Sequence, residues 1–125
     1  MIAGVGTDIV EIDRIRDAVG RWGDHFLKRI FSNEEISYCF SKRDPFPNLA
    51  ARFAAKESTI KALTGLIGAE QIHVGDVAVK NEESGRPVII LSERISSAVN
   101  GSIVLHLTLS HERGYAVATV IAERE

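Results

Sequence analysis

The chain has 125 residues, 45% hydrophobic and 26% charged, with a formal net charge of −2 and a mean hydropathy near zero. These values exclude a disordered chain, and the charge gives no global electrostatic reason to expect nucleic acid as a partner. A lone cysteine, Cys39, excludes an intrachain disulfide framework and a cysteine-cluster zinc site, and no apolar run approaches the ~20 residues that cross a bilayer.

This length predicts one domain over residues 1–125. The opening residues carry no basic stretch and include Gly4, Gly6 and Asp8, so they do not read as a signal peptide, and a cytoplasmic protein is expected. A chain this small buries only about two thirds of the surface its unfolded form exposes. An extended ligand must therefore lie on the surface or between subunits.

Ile2 to Val10 reads as a strand whose alternation puts Ala3, Val5, Thr7 and Ile9 on one side and Gly4, Gly6 and Asp8 on the other. Glu11 to Val19 reads as a short helix stopped at Gly20. Phe26, Leu27, Ile30 and Phe31 form an apolar patch, and Ser32 to Glu35 is a capping-box pattern opening a helix to about Phe40. Asp44 to Pro47 reads as a loop held extended by two prolines. Asn48 to Leu63 is the strongest helix, with Asn48 available as its cap and Gly65 as its stop. His73 to Lys80 and Val88 to Leu91 read as strands around a turn at Asn81 to Arg86, with Gly85 available for positive φ. Ser92 caps a short helix ending at Asn100-Gly101, and Ile103 to His111 and Tyr115 to Ala122 close the chain as a hairpin. Hairpin-joined strands with grouped helices predict an α+β fold, an antiparallel sheet packed against a long central helix.

The charges are unevenly spread. Arg14 to Lys61 holds ten Lys/Arg against six Asp/Glu, and the remainder holds five against eleven. Such a segment is either a solvated mixed surface or a side that faces anions. On the central helix, Leu49, Phe53, Ile60 and Leu63 make an apolar stripe, and Glu57 falls inside it. A carboxylate there is costly unless it is neutralised, paired or bound to metal. Ala51, Ala55, Ser58, Thr59 and Ala62 leave the opposite side small enough for another backbone to pack closely. Glu57 and Lys61 are spaced i,i+4, which fits an ion pair. The same residues fit a carboxylate ligand for a hard cation such as Mg²⁺, with lysines beside it for phosphate. Asp8 is the candidate second carboxylate, or else a cap for the following helix. Gly4 and Gly6 beside it leave room for a close neighbour. Ser110 and His111 point to opposite sides of their strand and are not a ready nucleophile and base. Trp22 and Cys39 read as structural.

Gly4-Val5-Gly6-Thr7-Asp8-Ile9-Val10-Glu11-Ile12-Asp13-Arg14-Ile15 resembles the opening of the holo-[acyl-carrier-protein] synthases, a family of 4′-phosphopantetheinyl transferases. Arg52 to Ser58 with Lys61-Ala62, the Gly85-Arg86-Pro87 turn, and Leu109 to Ala116 resemble the family's later motifs, in order along nearly the whole chain. The resemblance implies the family's fold and transfer of the 4′-phosphopantetheine arm of coenzyme A to a serine of apo acyl carrier protein in fatty acid biosynthesis. It implies Mg²⁺ held by Asp8 and Glu57, with Glu57, Lys61 and Asp8 as catalytic residues. Arg52, Lys56, Lys61, Gly65, Arg86, Pro87, Ser110 and His111 are implied as coenzyme contacts and Arg14 as a carrier-protein contact. A homotrimer with shared active sites is implied as well. Ser58 stands where the family commonly has alanine, and Leu63 to Leu66 departs from its glycine-rich continuation. The alternative is a small α+β module that binds a phosphorylated metabolite without chemistry, with Glu57 and Lys61 as a buried structural pair.

Overall fold

A computed structural model describes residues 1–67, 71–99 and 102–125. Strand β1 (Ile2–Glu11) pairs antiparallel with β5 (Tyr115–Arg124), and β5 pairs antiparallel with β4 (Ile103–His111), so the last strand is the middle one. The alternation of β1 decides which side meets the interior. Gly6 and Val10 are buried, whereas Val5 and Ile9 are 58% and 63% exposed on the outer side. The inner side of β5 is Ala116, Ala118, Val120 and Ala122, all fully buried.

Helix α4 (Phe46–Leu63) lies on this floor of small residues. Its own small side, Ala55, Ser58, Thr59 and Ala62, is buried. A Cβ built on Gly6 would stand 2.0 Å from the Ser58 carbonyl oxygen, and one on Gly4 would stand 1.9 Å from that of Ala62. The close neighbour expected for both features is therefore one contact, strand against helix within the chain. No second subunit is needed to cover this side of α4. The Ser58 hydroxyl donates to the Ala118 carbonyl at 3.0 Å, so the serine at this position ties the helix to the middle strand.

Four helices precede the second strand, where three were expected. Helix α1 (Ile12–Trp22) runs through Gly20 and stops at Gly23, whose φ of 55° suits glycine. The apolar patch forms α2 (Asp24–Ile30), and the capping box opens α3 (Asn33–Phe40) with both of its hydrogen bonds made. Helix α4 begins at Phe46, ahead of Asn48. Pro47 fits in its first turn because no helical partner is needed for the missing N–H, and the Asp44 carboxylate accepts from the Phe46 N–H at 3.1 Å. At its other end Leu63 is the last helical residue, Thr64 is the cap, and Gly65 is not at positive φ.

A short 3₁₀ turn (Val74–Asp76) occupies the start of the expected strand. Strand β2 (Val77–Asn81) and β3 (Pro87–Leu91) then form a separate antiparallel hairpin with Gly85 at φ 91°. Ser92 caps α5 (Glu93–Ala98), and its expected end at Asn100-Gly101 lies outside the described residues. One hydrophobic cluster joins the first half of α4 to α1–α3, and a second joins its last turn to α5 and the sheet. Cys39 is fully buried, but Trp22 is 59% exposed and supports no core.

Candidate active site

Asp8 stands on the inner side of β1, two residues beyond Gly6 and four before α1 begins. The strand alternation and the Gly6–Ser58 contact bring it beside the middle of α4. It does not cap α1, whose first turn has no side-chain cap. Lys61, one turn beyond Glu57, donates from Nζ to the Thr7 carbonyl at 2.9 Å and to Asp8 Oδ1 at 3.3 Å. The lysine side chain is about half exposed and Asp8 is mostly covered. Glu57 is half-buried, with no hydrogen bond or ion pair to another described residue. The i,i+4 pair of Glu57 with Lys61 is therefore not formed, and Lys61 serves Asp8 instead.

Asp8, Glu57 and Arg14 line one open cleft of about 350 Å³, with Ile15, Phe26 and Phe53 among its apolar walls. Two carboxylates and no nitrogen or sulfur donor suit a hard divalent cation, which takes oxygen ligands and completes its shell with water and phosphate. Among the described residues no three His, Cys, Asp or Glu side chains cluster as a complete protein cage, so such a cation would keep positions open for a ligand. The unpaired Glu57 carboxylate against an apolar wall is the group that most needs a positive partner.

The remaining implied residues lie elsewhere. Arg86 and Pro87 stand at the end of the β2–β3 turn and line a second hollow of about 220 Å³ with Val104 to Leu107 of β4. Arg86 is exposed and paired with Glu82 at 3.0 Å. Ser110 and His111 are exposed at the end of β4, and the rung His111–Ala116–Val10 sets His111 two strands from β1. Two strand spacings are about 10 Å. Gly65 is exposed just past α4 with open space about it.

Arg52 and Lys56 are turned inward, on the side of α4 away from the cleft. Lys56 is 1% exposed, and its Nζ donates to Glu35 Oε2 at 3.0 Å and to the Val77 carbonyl. Burial pulls the Lys56 pKa down from its ordinary value, and the Glu35 charge pulls it back. The Lys56 ammonium is thus bonded within the chain, and the residue also borders a hollow of about 180 Å³ with Lys28 and Arg29. Arg52 lies over the Tyr38 ring, 4.4 Å from its centre, and donates from Nη2 to Asn81 Oδ1. Its buried Nε has no partner among the described residues. Glu35 was legible only as part of the capping box. Its second role as the acceptor for Lys56 has no local sequence signal, because its partners are distant in the chain.

The family model of the 4′-phosphopantetheinyl transferase superfamily matches residues 4–120. The chain belongs to that superfamily. Its relatives include the holo-[acyl-carrier-protein] synthases of Halothermothrix orenii, 38% identical over 98% of both chains, and of Koribacter versatilis, 44% identical over 98% of this chain and 99% of the other. The crystal structure of the Helicobacter pylori holo-[acyl-carrier-protein] synthase in complex with coenzyme A superposes with a TM-score of 0.82 at 35% identity, covering 95% of this chain and 99% of that one. The phosphopantetheinyl transferase match spans β1, α4 and the closing hairpin alike, so it takes in both walls of the cleft.

Proposed function

We propose that this chain transfers the 4′-phosphopantetheine arm of coenzyme A to a serine hydroxyl of apo acyl carrier protein, for fatty acid biosynthesis, and releases adenosine 3′,5′-bisphosphate. The carrying observation is that Asp8 and Glu57, from opposite walls, line one cleft in a chain that aligns end to end with holo-[acyl-carrier-protein] synthases. Asp8 and Glu57 would hold Mg²⁺. When bound, the cation supplies Lewis-acid neutralisation of the pyrophosphate charge.

The chain's own groups do the rest. Attack of a hydroxyl on phosphorus depends on positioning and charge neutralisation more than on covalent chemistry. Lys61 keeps Asp8 oriented and has an exposed ammonium within reach of a departing phosphate, which it neutralises or protonates. A carboxylate of the pair, Glu57 or Asp8, accepts the serine proton. Arg86, Pro87, Ser110, His111 and Gly65 offer the coenzyme a surface path. Arg14, at the rim of the cleft, faces the acidic carrier protein.

We assign the exposed outer side of the sheet, with Val5 and Ile9, to contact between copies in a homotrimer. The cleft and the Arg86 hollow share no residue within one chain, so a neighbour that closes the distance between them completes the site. Residues 1–125 act as one domain. No helix among the described residues is long and apolar enough to cross a membrane, and we place the activity in the cytoplasm.

The test is to incubate the protein with coenzyme A, Mg²⁺ and an apo carrier protein and to weigh the carrier. A gain of one phosphopantetheine arm is expected. An unchanged carrier mass, with the enzyme folded, overturns the proposal.

A further inference from the structure

Strand β2 is fastened to α4 by a ladder of polar bonds. Lys56 and Arg52 are one turn apart on α4, on the same side. Val77, Val79 and Asn81 alternate along β2, also on one side. Lys56 Nζ takes the Val77 carbonyl, and Arg52 takes the Asn81 side chain. Between them the Val79 N–H donates to Glu35 Oε2 at 2.6 Å. Glu35 also accepts from the Ser32 N–H at 2.8 Å, so one buried carboxylate joins α3, α4 and β2. From Asn81 the ladder continues to the turn, where Asn81 Nδ2 donates to the Gly85 carbonyl at 2.9 Å, next to Arg86.

Hydrophobic contact alone explains little of this arrangement. Burying an ion pair where apolar residues would serve is often no gain in stability. Its benefit is geometric: each bond fixes a strand position against a helix position, and a slip by one residue breaks all of them. The helix that carries Glu57 and Lys61 thereby sets the place of the hairpin that carries Arg86 and Pro87.

We infer that Glu35, with Lys56, is a positioning residue for coenzyme binding: it holds the β2–β3 hairpin in register so that Arg86 and Pro87 meet the coenzyme. The inference rests on the proposed transfer reaction and deepens it. Loosening the ladder should weaken coenzyme A binding and leave the chemistry of Asp8, Glu57 and Lys61 intact.

The experiment compares wild type, Glu35→Gln, and the double variant Glu35→Gln with Lys56→Met, which removes both charges of the buried ion pair. KM for coenzyme A and kcat come from carrier modification. The dissociation constant for coenzyme A comes from calorimetry without carrier, and amide hydrogen exchange follows the hairpin. In a folded variant we expect KM and the dissociation constant to rise at least tenfold with kcat within threefold. Hairpin amides should exchange at least tenfold faster while β1–β5 amides do not. A variant that binds coenzyme A as wild type does overturns the inference, and so does a uniform rise in exchange with a matching fall in kcat. Should both variants fail to fold, Asn81→Ala cuts the outermost tie at the hairpin edge, and an unchanged KM there overturns the inference equally. A wild type that modifies no carrier refutes the transfer reaction, while the calorimetric and exchange readouts still judge the ladder.

Discussion

Replacing Gly6 with alanine tests the contact on which the cleft is built. The added Cβ would lie 2.0 Å from the Ser58 carbonyl oxygen and 2.9 Å from the Ala62 nitrogen, both backbone atoms of α4. Backbone cannot rotate away as a side chain can, so the helix must retreat by on the order of 1 Å to restore a van der Waals distance. Overpacking of this kind costs about 1–3 kcal/mol, and a backbone-to-backbone clash belongs at the upper end. For a chain of this size 3 kcal/mol corresponds to a fall in Tm of about 10 °C. The retreat is centred on Ser58, adjacent to Glu57, while Asp8 stays with the sheet. Misplacing reacting groups by 1 Å costs ~100-fold in rate. Thermal unfolding by circular dichroism and carrier modification at a temperature where the variant is folded read the two effects separately. Gly20→Ala is the matched control: nothing lies within 4 Å of its Cβ, it sits inside α1, and the change should stabilise by about 1 kcal/mol. A Gly6→Ala protein with Tm within 2 °C of wild type (about 0.5 kcal/mol at this size) and normal turnover would refute the close-contact argument.

Glu57→Gln keeps the shape and removes the charge, so transfer should fall by about 100-fold or more with Tm unchanged, and near-normal turnover would exclude Glu57 from catalysis. Lys61→Ala should lower kcat by about 10-fold or more and free Asp8, measured under saturating coenzyme A; an unchanged rate removes its role. Transfer should slow as salt rises through the physiological range, and Arg14→Ala should reduce that dependence; a flat profile argues against electrostatic docking. For Asp76, burial by itself raises the carboxyl pKa. Hydrogen bonds from the His73 N–H, Ser92 and Arg94 outweigh it and hold the pKa below its ordinary value of 3.8. The folded form then binds fewer protons than the unfolded form, so Asp76 stabilises above the ordinary value and that contribution is lost as pH falls through the folded one. Asp76→Asn should be less stable than wild type at pH 6 in denaturant titrations, with the gap closing on acidification; a gap independent of pH refutes the sign.

The strands, the capping box and α4 were legible because their signals are local. Gly85 was legible because a hairpin turn at that position needs positive φ. The start of α4 was hidden because two prolines read as helix breakers, although the first turn tolerates Pro47. Helix α2 spans seven residues, too few to show a helical period. In the candidate site, Asp8 and Glu57 stand out because a carboxylate beside two glycines and another within an apolar stripe are each anomalous locally, and the two line one cleft. The partners of Lys61, Lys56 and Arg52 were not found. Thr7, Asp8, Glu35 and Asn81 lie far from them in the chain, and an i,i+4 rule can only offer Glu57.

Strand β1 has the site on one side and open apolar surface on the other, and successive residues serve the two in turn. Ile9 outside is bonded to Asp8 inside through one peptide plane, and a plane does not bend easily. Any copy that seats on Val5 and Ile9 therefore presses on the backbone that aims the Asp8 carboxylate. In the homotrimer proposed above, assembly and turnover would become one equilibrium, and specific activity should decline on dilution even though both walls of the cleft belong to a single chain; activity independent of protein concentration refutes the coupling.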